Sequence, residues 1–298
     1  MVQFKTKGTE FMSDRRNIVW PFYATLILSL VMSGMLFLPW MYFGAASDRP
    51  MLLSNSVTAH PKLSVWAWER DEDLSYIDPA TVKVSYFAGT IYLRGASVSF
   101  RPRTQKLKVP PGTQTIPVFR IESLRAGGAE GAVPPGPPQS VAARFVAQTV
   151  ATRLKELAST DNVQIDYDAL EDERPFYRNL LRELRRQLPN KTRISITALA
   201  SWLLCDRWLR DGDADEVIAM IFNIGPDRKK VLQTVKKQPL DSGTKAVVSI
   251  GISANESDTN ETIFNAKLQR QTDTLYVFSS RPWTKERFLA IKKEAFND

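Results

Sequence analysis

The sequence predicts a (β/α)8 barrel-like domain, irregular in its first half and preceded by one transmembrane helix. Three observations carry this expectation. Eight short runs of strand character recur along residues 63–280, helical patterns alternate with the later ones, and several strands set one polar face against one apolar face. About 235 residues for eight such units matches a compact barrel, whose usual size is near 250 residues. An open doubly wound sheet is the alternative arrangement of the same elements.

The expected strands are 63–69, 82–88, 116–122, 163–168, 193–199, 217–223, 246–253 and 274–280. The expected helices are 140–158, 173–188, 200–210, 226–236 and 284–295. Ser140 is a plausible N-cap, with Val141, Phe145, Val150, Leu154 and Leu157 roughly along one stripe. Phe176, Leu180, Leu181, Leu184 and Leu188 give the next helix a buried side, and its arginines stay wet. Residues 86–100 read as strand and turn, so an early helix is missing or replaced by a hairpin. The Gly/Pro-rich stretch 126–139 (AGGAEGAVPPGPPQ) reads as a mobile loop on the site face or an inert spacer.

Residues 18–46 carry no charge, and a helix crosses a bilayer with roughly 20 apolar residues. Trp20, Tyr23, Trp40 and Tyr42 lie near its ends, where interfacial aromatics are expected. Lys5, Lys7, Arg15 and Arg16 precede it, which places residues 1–17 in the cytoplasm. The expected order is then an anchor at 18–46, a linker at 47–62 and a barrel at 63–298 on the periplasmic side of a bacterial inner membrane. A signal peptide cleaved near Gly44-Ala45-Ala46 is the competing reading, and Met12 is an alternative start.

The formal charge of +8 is mild and interleaved with acids, which disfavours a nucleic-acid face. One cysteine, Cys205, excludes an intramolecular disulfide, and one histidine, His60, excludes a histidine zinc cluster. No glycine-rich phosphate loop follows a strand, so nucleotide binding is disfavoured and no cofactor is expected.

The most informative strand is 163–168. Val163, Ile165 and Tyr167 alternate with Gln164, Asp166 and Asp168, so one face is apolar and the other carries two carboxylates. By the same parity Val118, Arg120 and Glu122 share a face, Ser195 and Thr197 oppose Ile194, Ile196 and Ala198, and Ser249, Gly251 and Ser253 oppose Val248, Ile250 and Ile252. Barrel interiors are usually filled by branched apolar side chains, so polar residues converging near the C-terminal rim point to a polar ligand.

The run VQIDYDA at 163–169 opens a resemblance. With Pro175-Phe176-Tyr177, Leu180-Leu181, Leu184-Arg185, the run ISITALASW at 194–202, and Asp215-Glu216-Val217 with Met220 and Phe222, it resembles the uncharacterised bacterial family called domain of unknown function 3142. The likeness spans roughly 63–280 and implies a barrel like those of glycoside hydrolases, with no assigned activity. Asp166 and Asp168 also resemble the second and third acids of the chitinase-like strand pattern Asp-x-x-Asp-x-Asp-x-Glu. Val163 and Leu170 stand where its first and last acids would fall, and Glu171 lies one residue beyond.

Glycoside hydrolysis needs two carboxyl groups flanking the bond. Asp168 is the candidate acid or nucleophile, Glu122 its candidate partner, and Asp166 a neighbour that orients or tunes Asp168. Arg120, Gln164, Thr197, Trp202, Trp68 and Asn223 are candidate substrate-binding residues. Trp66 and Trp283 also fall near the rim, and Glu69 is another possible acid. Ordinary packing is the competing role for each Trp, and an Arg120-Glu122-Asp166 ion network that only fixes register competes with catalysis. Two functions follow: a glycosidase-like enzyme on a polysaccharide, or a noncatalytic polysaccharide-binding or envelope assembly protein.

Overall fold

The computed structural model describes residues 62–94, 97–123, 139–158, 161–206, 208–237, 240–268, 272 and 274–296. The expected anchor at 18–46, the linker apart from Lys62 and most of the Gly/Pro-rich stretch lie outside these residues. Among the described residues no helix is long and apolar enough to cross a membrane.

In chain order the strands are β1 (Lys62–Ala67), β2 (Glu72–Asp73), β3 (Val82–Arg94), β4 (Ser97–Pro102), β5 (Leu107–Lys108), β6 (Thr115–Ser123), β7 (Asn162–Asp166), β8 (Arg193–Leu199), β9 (Glu216–Met220), β10 (Val247–Ser253) and β11 (Thr274–Phe278). The helices are α1 (Gln139–Glu156), α2 (Arg174–Gln187), α3 (Arg228–Lys237), α4 (Ser257–Asn265) and α5 (Lys285–Phe296). Going round the barrel, β1, β3, β6, β7, β8, β9, β10 and β11 are joined side by side in parallel, and β11 pairs back with β1. The eight expected strands are these eight. The sheet closes, so the open doubly wound alternative does not hold.

The early irregularity is a hairpin: β3 runs on past residue 88 and pairs antiparallel with β4. A register shift between Phe87 and Gly89 bulges β3, after which Thr90 pairs with Arg120 and Tyr92 with Glu122. Gly89 is needed here, because a Cβ would stand 2.4 Å from the Phe100 ring and 2.6 Å from the Arg101 carbonyl oxygen.

The outer face of the barrel is apolar. Ile165, Ile194 and Ile196 are buried with Ala143, Val146, Val150 and Leu154 of α1 and with Tyr177, Leu180, Leu181 and Leu184 of α2. The α1 stripe is displaced from expectation: Phe145 and Leu157 are exposed, because small Ala142, Ala143 and Ala147 let that side of the helix sit close. The α2 stripe is as expected, and all five of its apolar residues are buried.

The inner face is polar, as the alternation predicts, and several of its groups bond one another, though the buried Gln164 amide does not. Ser64 and Ser85 share a 3.0 Å hydrogen bond. Ser249 Oγ donates to Glu216 Oε1 over 2.6 Å, and the Tyr276 hydroxyl donates to the same carboxylate at 3.1 Å. These bonds compensate the desolvation of polar groups in a barrel interior. Between them Trp66, Val118, Ile218 and Tyr276 form a small apolar plug. Gly251 makes room for it, since a Cβ there would lie 3.1 Å from the Trp66 ring.

Four elements differ from the sequence expectation. The helix expected at 200–210 is a single wide turn, Trp202–Asp206. Its Trp202 and the following Trp208 meet at 5.0 Å and both pack on Tyr177, so these rings fill a notch beside α2 and do not line one helix face. Second, α4 (SDTNETIFN) has no apolar stripe long enough to read, yet Thr259, Asn260 and Ile263 are buried. Third and fourth, β7 ends at Asp166 and β9 at Met220, which leaves Asp168 and Asn223 on the loops beyond.

Candidate functional site

The site begins with the pairing of β6 and β7, which sets Val118 beside Gln164 and Arg120 beside Asp166. In parallel neighbours paired residues face the same way, so Arg120 and Asp166 both turn inward near the C-terminal ends. Two residues on, Glu122 and Asp168 stand at the rim. Together with Ser123, Tyr167, Leu170 and Glu173 they line a recess of about 420 Å³.

Within this recess Arg120 Nε lies 3.0 Å from Glu122 Oε1, and each side chain of the pair is about a third exposed, at 37% and 35%. The guanidinium also lies over Trp68, 6.0 Å from the ring centroid. Thr197 Oγ1 donates to Asp166 Oδ1 at 2.7 Å. Ser123 and the Tyr167 hydroxyl share a 2.8 Å hydrogen bond across the rim.

The Asp166 carboxyl is pushed up to about 6, first by desolvation and then by the negative charge of Asp168, with a smaller push from Glu122. The Thr197 hydrogen bond and the Arg120 charge act against this. Asp168 is raised as well, by desolvation, and Arg120 opposes the shift. Two carboxyls two residues apart on the same side therefore each find ionisation harder than in water. Such a pair can hold a proton near neutrality beside a further carboxylate and deliver it to a bound ligand.

The recess gathers four of the expected site residues: Asp168, Glu122, Asp166 and Arg120. Thr197 is 3% exposed and spends its hydroxyl on Asp166, so it holds the carboxyl and has little surface for a ligand. Trp68 is half-buried at the rim, 5.4 Å from Phe87 and 6.1 Å from Phe278. Asn223 is exposed, in the left-handed conformation at φ 52°, and its N–H donates to Glu256 Oε1 at 2.9 Å.

Two expected ligand contacts are corrected. Gln164 is fully buried one step below Asp166, away from the mouth. Trp202 is 3% exposed and packed with Tyr177 of α2 and with Trp208, on the outer side of the barrel wall. Trp66 belongs to the interior plug, and Trp283 Nε1 donates to the Trp66 carbonyl at 2.9 Å. Glu69 is tied to Arg101 at 2.8 Å.

Sequence reasoning missed Glu173, which lines the recess and accepts the Leu170 N–H at 2.9 Å. No capping-box signature marks it, because Leu170 offers no side-chain acceptor and only the Glu173 half of such a box is present. Glu171 is exposed on the short turn Glu171–Glu173 and is not among the lining residues. The stacked pair Phe222, just past β9, and Phe278, at the end of β11, at 5.6 Å and 9°, was also missed, because the two residues are distant in sequence and meet across β10. Among the described residues no group of three or more His, Cys, Asp or Glu could hold a metal.

The fold is similar to that of solved barrel proteins. A structure of a chitinase A candidate from Streptomyces coelicolor matches with a TM-score of 0.50 at 12% identity, over 80% of this chain and 96% of that one. A chitinase from Rhizomucor miehei matches at 0.48 and 11% identity, over 79% and 98%. The Bacillus cereus spore cortex-lytic enzyme SleL matches at 0.45 and 12% identity, over 79% and 75%. At these identities the likeness is one of fold. No curated protein sequence matches the chain. Residues 131–216, which contain α1, β7, α2, β8 and both Asp166 and Asp168, match the family described as Domain of unknown function (DUF3142), in agreement with the resemblance read from the sequence.

Proposed function

We propose that the chain is a membrane-anchored, periplasm-facing barrel protein that cleaves a polysaccharide by glycosidase-type chemistry. The observation that carries this reading is the convergence of Asp166, Asp168 and Glu122 in one open recess, with Asp166 raised to about 6. Asp168 at the rim gives a proton to the glycosidic oxygen or attacks the anomeric carbon. Glu122, held by Arg120, takes the complementary role, and Asp166 tunes Asp168 from below. Trp68, Phe222 and Phe278 offer aromatic surface for the apolar faces of sugar rings, and Asn223 offers an amide for hydroxyls. The uncharged run at 18–46 and its basic leader support the anchor and the periplasmic placement.

A second reading rests on Leu170. It stands where a chitinase-like strand carries its proton donor, it is 54% exposed, and it lines the recess. A mouth with apolar and aromatic surface and no donor at that point suits a noncatalytic glycan-binding or assembly protein.

The test is to purify the full chain in detergent and follow glycan binding and reducing-end release together over a panel of envelope polysaccharides. Release that falls at least a hundredfold in Asp168→Asn, with binding and folding kept, is the expected result. Binding with no release in the unaltered protein would establish the second reading, and release unchanged in Asp168→Asn would remove Asp168 from the chemistry.

A further inference from the structure

A second recess, of about 650 Å³, lies on the outer wall between α2 and the loop that leads into β9. Arg178, Arg182 and Arg185 project into it from α2, and Arg210 and Asp213 close it from the loop. Spacings of four and three residues put the three helix arginines on one stripe. Asp215 marks the place in the fold: its N–H donates to the Ile194 carbonyl and its carboxylate pairs with Arg185 at 2.7 Å, beside the starts of β8 and β9. Arg185 and Asp215 thus stand at the opposite end of the strands from the carboxylate mouth, and the recess runs from there along α2 to Arg178.

Positive charge exceeds negative here: against five arginines the lining itself holds only Asp211 and Asp213, and the Asp213 carboxylate lies in the field of Arg178, Arg182 and Arg210. Arg185 has Asp215, and Arg186, which also borders the recess, has Glu183 at 2.7 Å. Among the described residues Arg178, Arg182 and Arg210 form no ion pair within 4 Å; Arg182 reaches only the Asn179 amide oxygen and the Arg178 carbonyl. Asp213 is 6% exposed and turns its carboxylate to the Arg210 backbone N–H at 2.9 Å, closing the loop. The arginines of the last helical turn, Arg185 and Arg186, complement the negative end of the helix. Arg178 and Arg182 lie further back, so that explanation does not reach them.

Guanidinium forks from two elements around one concavity match the several oxygens of a phosphate ester better than a single carboxylate. The volume falls in the range of small-ligand sites, larger than one phosphate needs. We infer that this recess binds a phosphoryl group, as carried by a phosphorylated sugar or a phosphodiester-linked polymer, at a site separate from the carboxylate mouth.

The experiment titrates the full chain in detergent with inorganic pyrophosphate by calorimetry. Saturable binding is expected, weakened at least tenfold in Arg178→Gln/Arg182→Gln and kept within twofold in Lys229→Gln/Lys230→Gln, which removes equal charge from exposed positions on α3. If the arginine pair variant does not fold, Arg210→Gln on the loop is read in its place and should weaken binding at least threefold. Competition by glucose 1-phosphate or by polyglycerol phosphate then identifies the source of the phosphoryl group. No saturable binding, equal loss in both double variants, or pyrophosphate binding that neither competitor displaces would overturn the inference, the last marking an adventitious ion only. Asp168→Asn should leave pyrophosphate binding unchanged, so the outcome here is independent of the reading of the mouth.

Discussion

Thr197 on β8 and Asp166 on β7 are joined by a 2.7 Å hydrogen bond that crosses from one strand to the next at the floor of the recess. The hydroxyl donates to the charged form of the carboxyl and so favours ionisation, against the desolvation that opposes it. In Thr197→Val the shape is kept and the donor is lost. The Asp166 carboxyl should then titrate above its value of about 6, and the fold should lose about 1–2 kcal/mol. Carbon-13 NMR of the side-chain carboxyl against pH reads the first effect and urea unfolding the second; an unchanged or lowered midpoint would refute the assignment.

Removing the neighbouring charges should act in the other direction. Asp168 raises Asp166 more than Glu122 does. The Asp166 midpoint should therefore fall in Asp168→Asn and fall less in Glu122→Gln. The same carboxyl resonance reads both variants, and a reversed order would mean that Glu122, not Asp168, is the closer electrostatic neighbour.

The raised Asp166 also has a consequence for stability. The folded state holds this proton to about pH 6, whereas the unfolded chain releases it near 3.8. Between those values the folded state binds more protons, so stability falls as pH rises through the window and the penalty is complete above it. Asp166→Asn removes the penalty and keeps an acceptor for Thr197. It should be more stable than the parent at pH 8 by up to about 2 kcal/mol, with the difference vanishing below about pH 4. Chemical denaturation of both proteins at pH 4 and pH 8 checks the sign, and a variant less stable at pH 8 would contradict it.

The eight barrel strands were legible because period-two alternation is a local signal, and so was the inward polar face that gathers Arg120, Glu122 and Asp166. What was not legible depends on residues distant in sequence. Trp202 is indistinguishable from a rim aromatic until Tyr177 and Trp208 are seen to enclose it. Gln164 shares parity with Asp166, and only its depth in the barrel separates a ligand contact from a buried amide. The α4 helix escaped notice because its burial uses Thr259 and Asn260, whose Asn260 Nδ2 donates to the Ser253 carbonyl at 2.8 Å, and polar residues do not announce a helix face. Glu173 is fixed by its bond to the Leu170 N–H across the short turn before α2, a local bond whose position relative to β6 the chain alone does not give.

The loop after β1 should be as sensitive to substitution as the barrel wall. Glu72 is 4% exposed; its carboxylate accepts Arg70 Nε at 2.6 Å and the Trp283 N–H at 2.9 Å. Arg70 in turn donates to the carbonyls of Ser279 and Ser280, and Arg103 donates to the carbonyl of Trp68. The loops after β1 and β11 are thereby fixed to each other and to the residue that places the Trp68 ring over Arg120. Glu72→Ala leaves the partly buried Arg70 and a buried Trp283 N–H without their acceptor, and should cost about 3 kcal/mol. Glu72→Gln keeps one acceptor oxygen and should cost less, roughly 1–2 kcal/mol. Urea midpoints of the two variants test the ranking, and the tryptophan emission of the folded state should shift in Glu72→Ala as the Trp68 and Trp283 surroundings loosen. Equal midpoints for the two variants, with unaltered emission, would show that these loops are held by packing and not by the carboxylate.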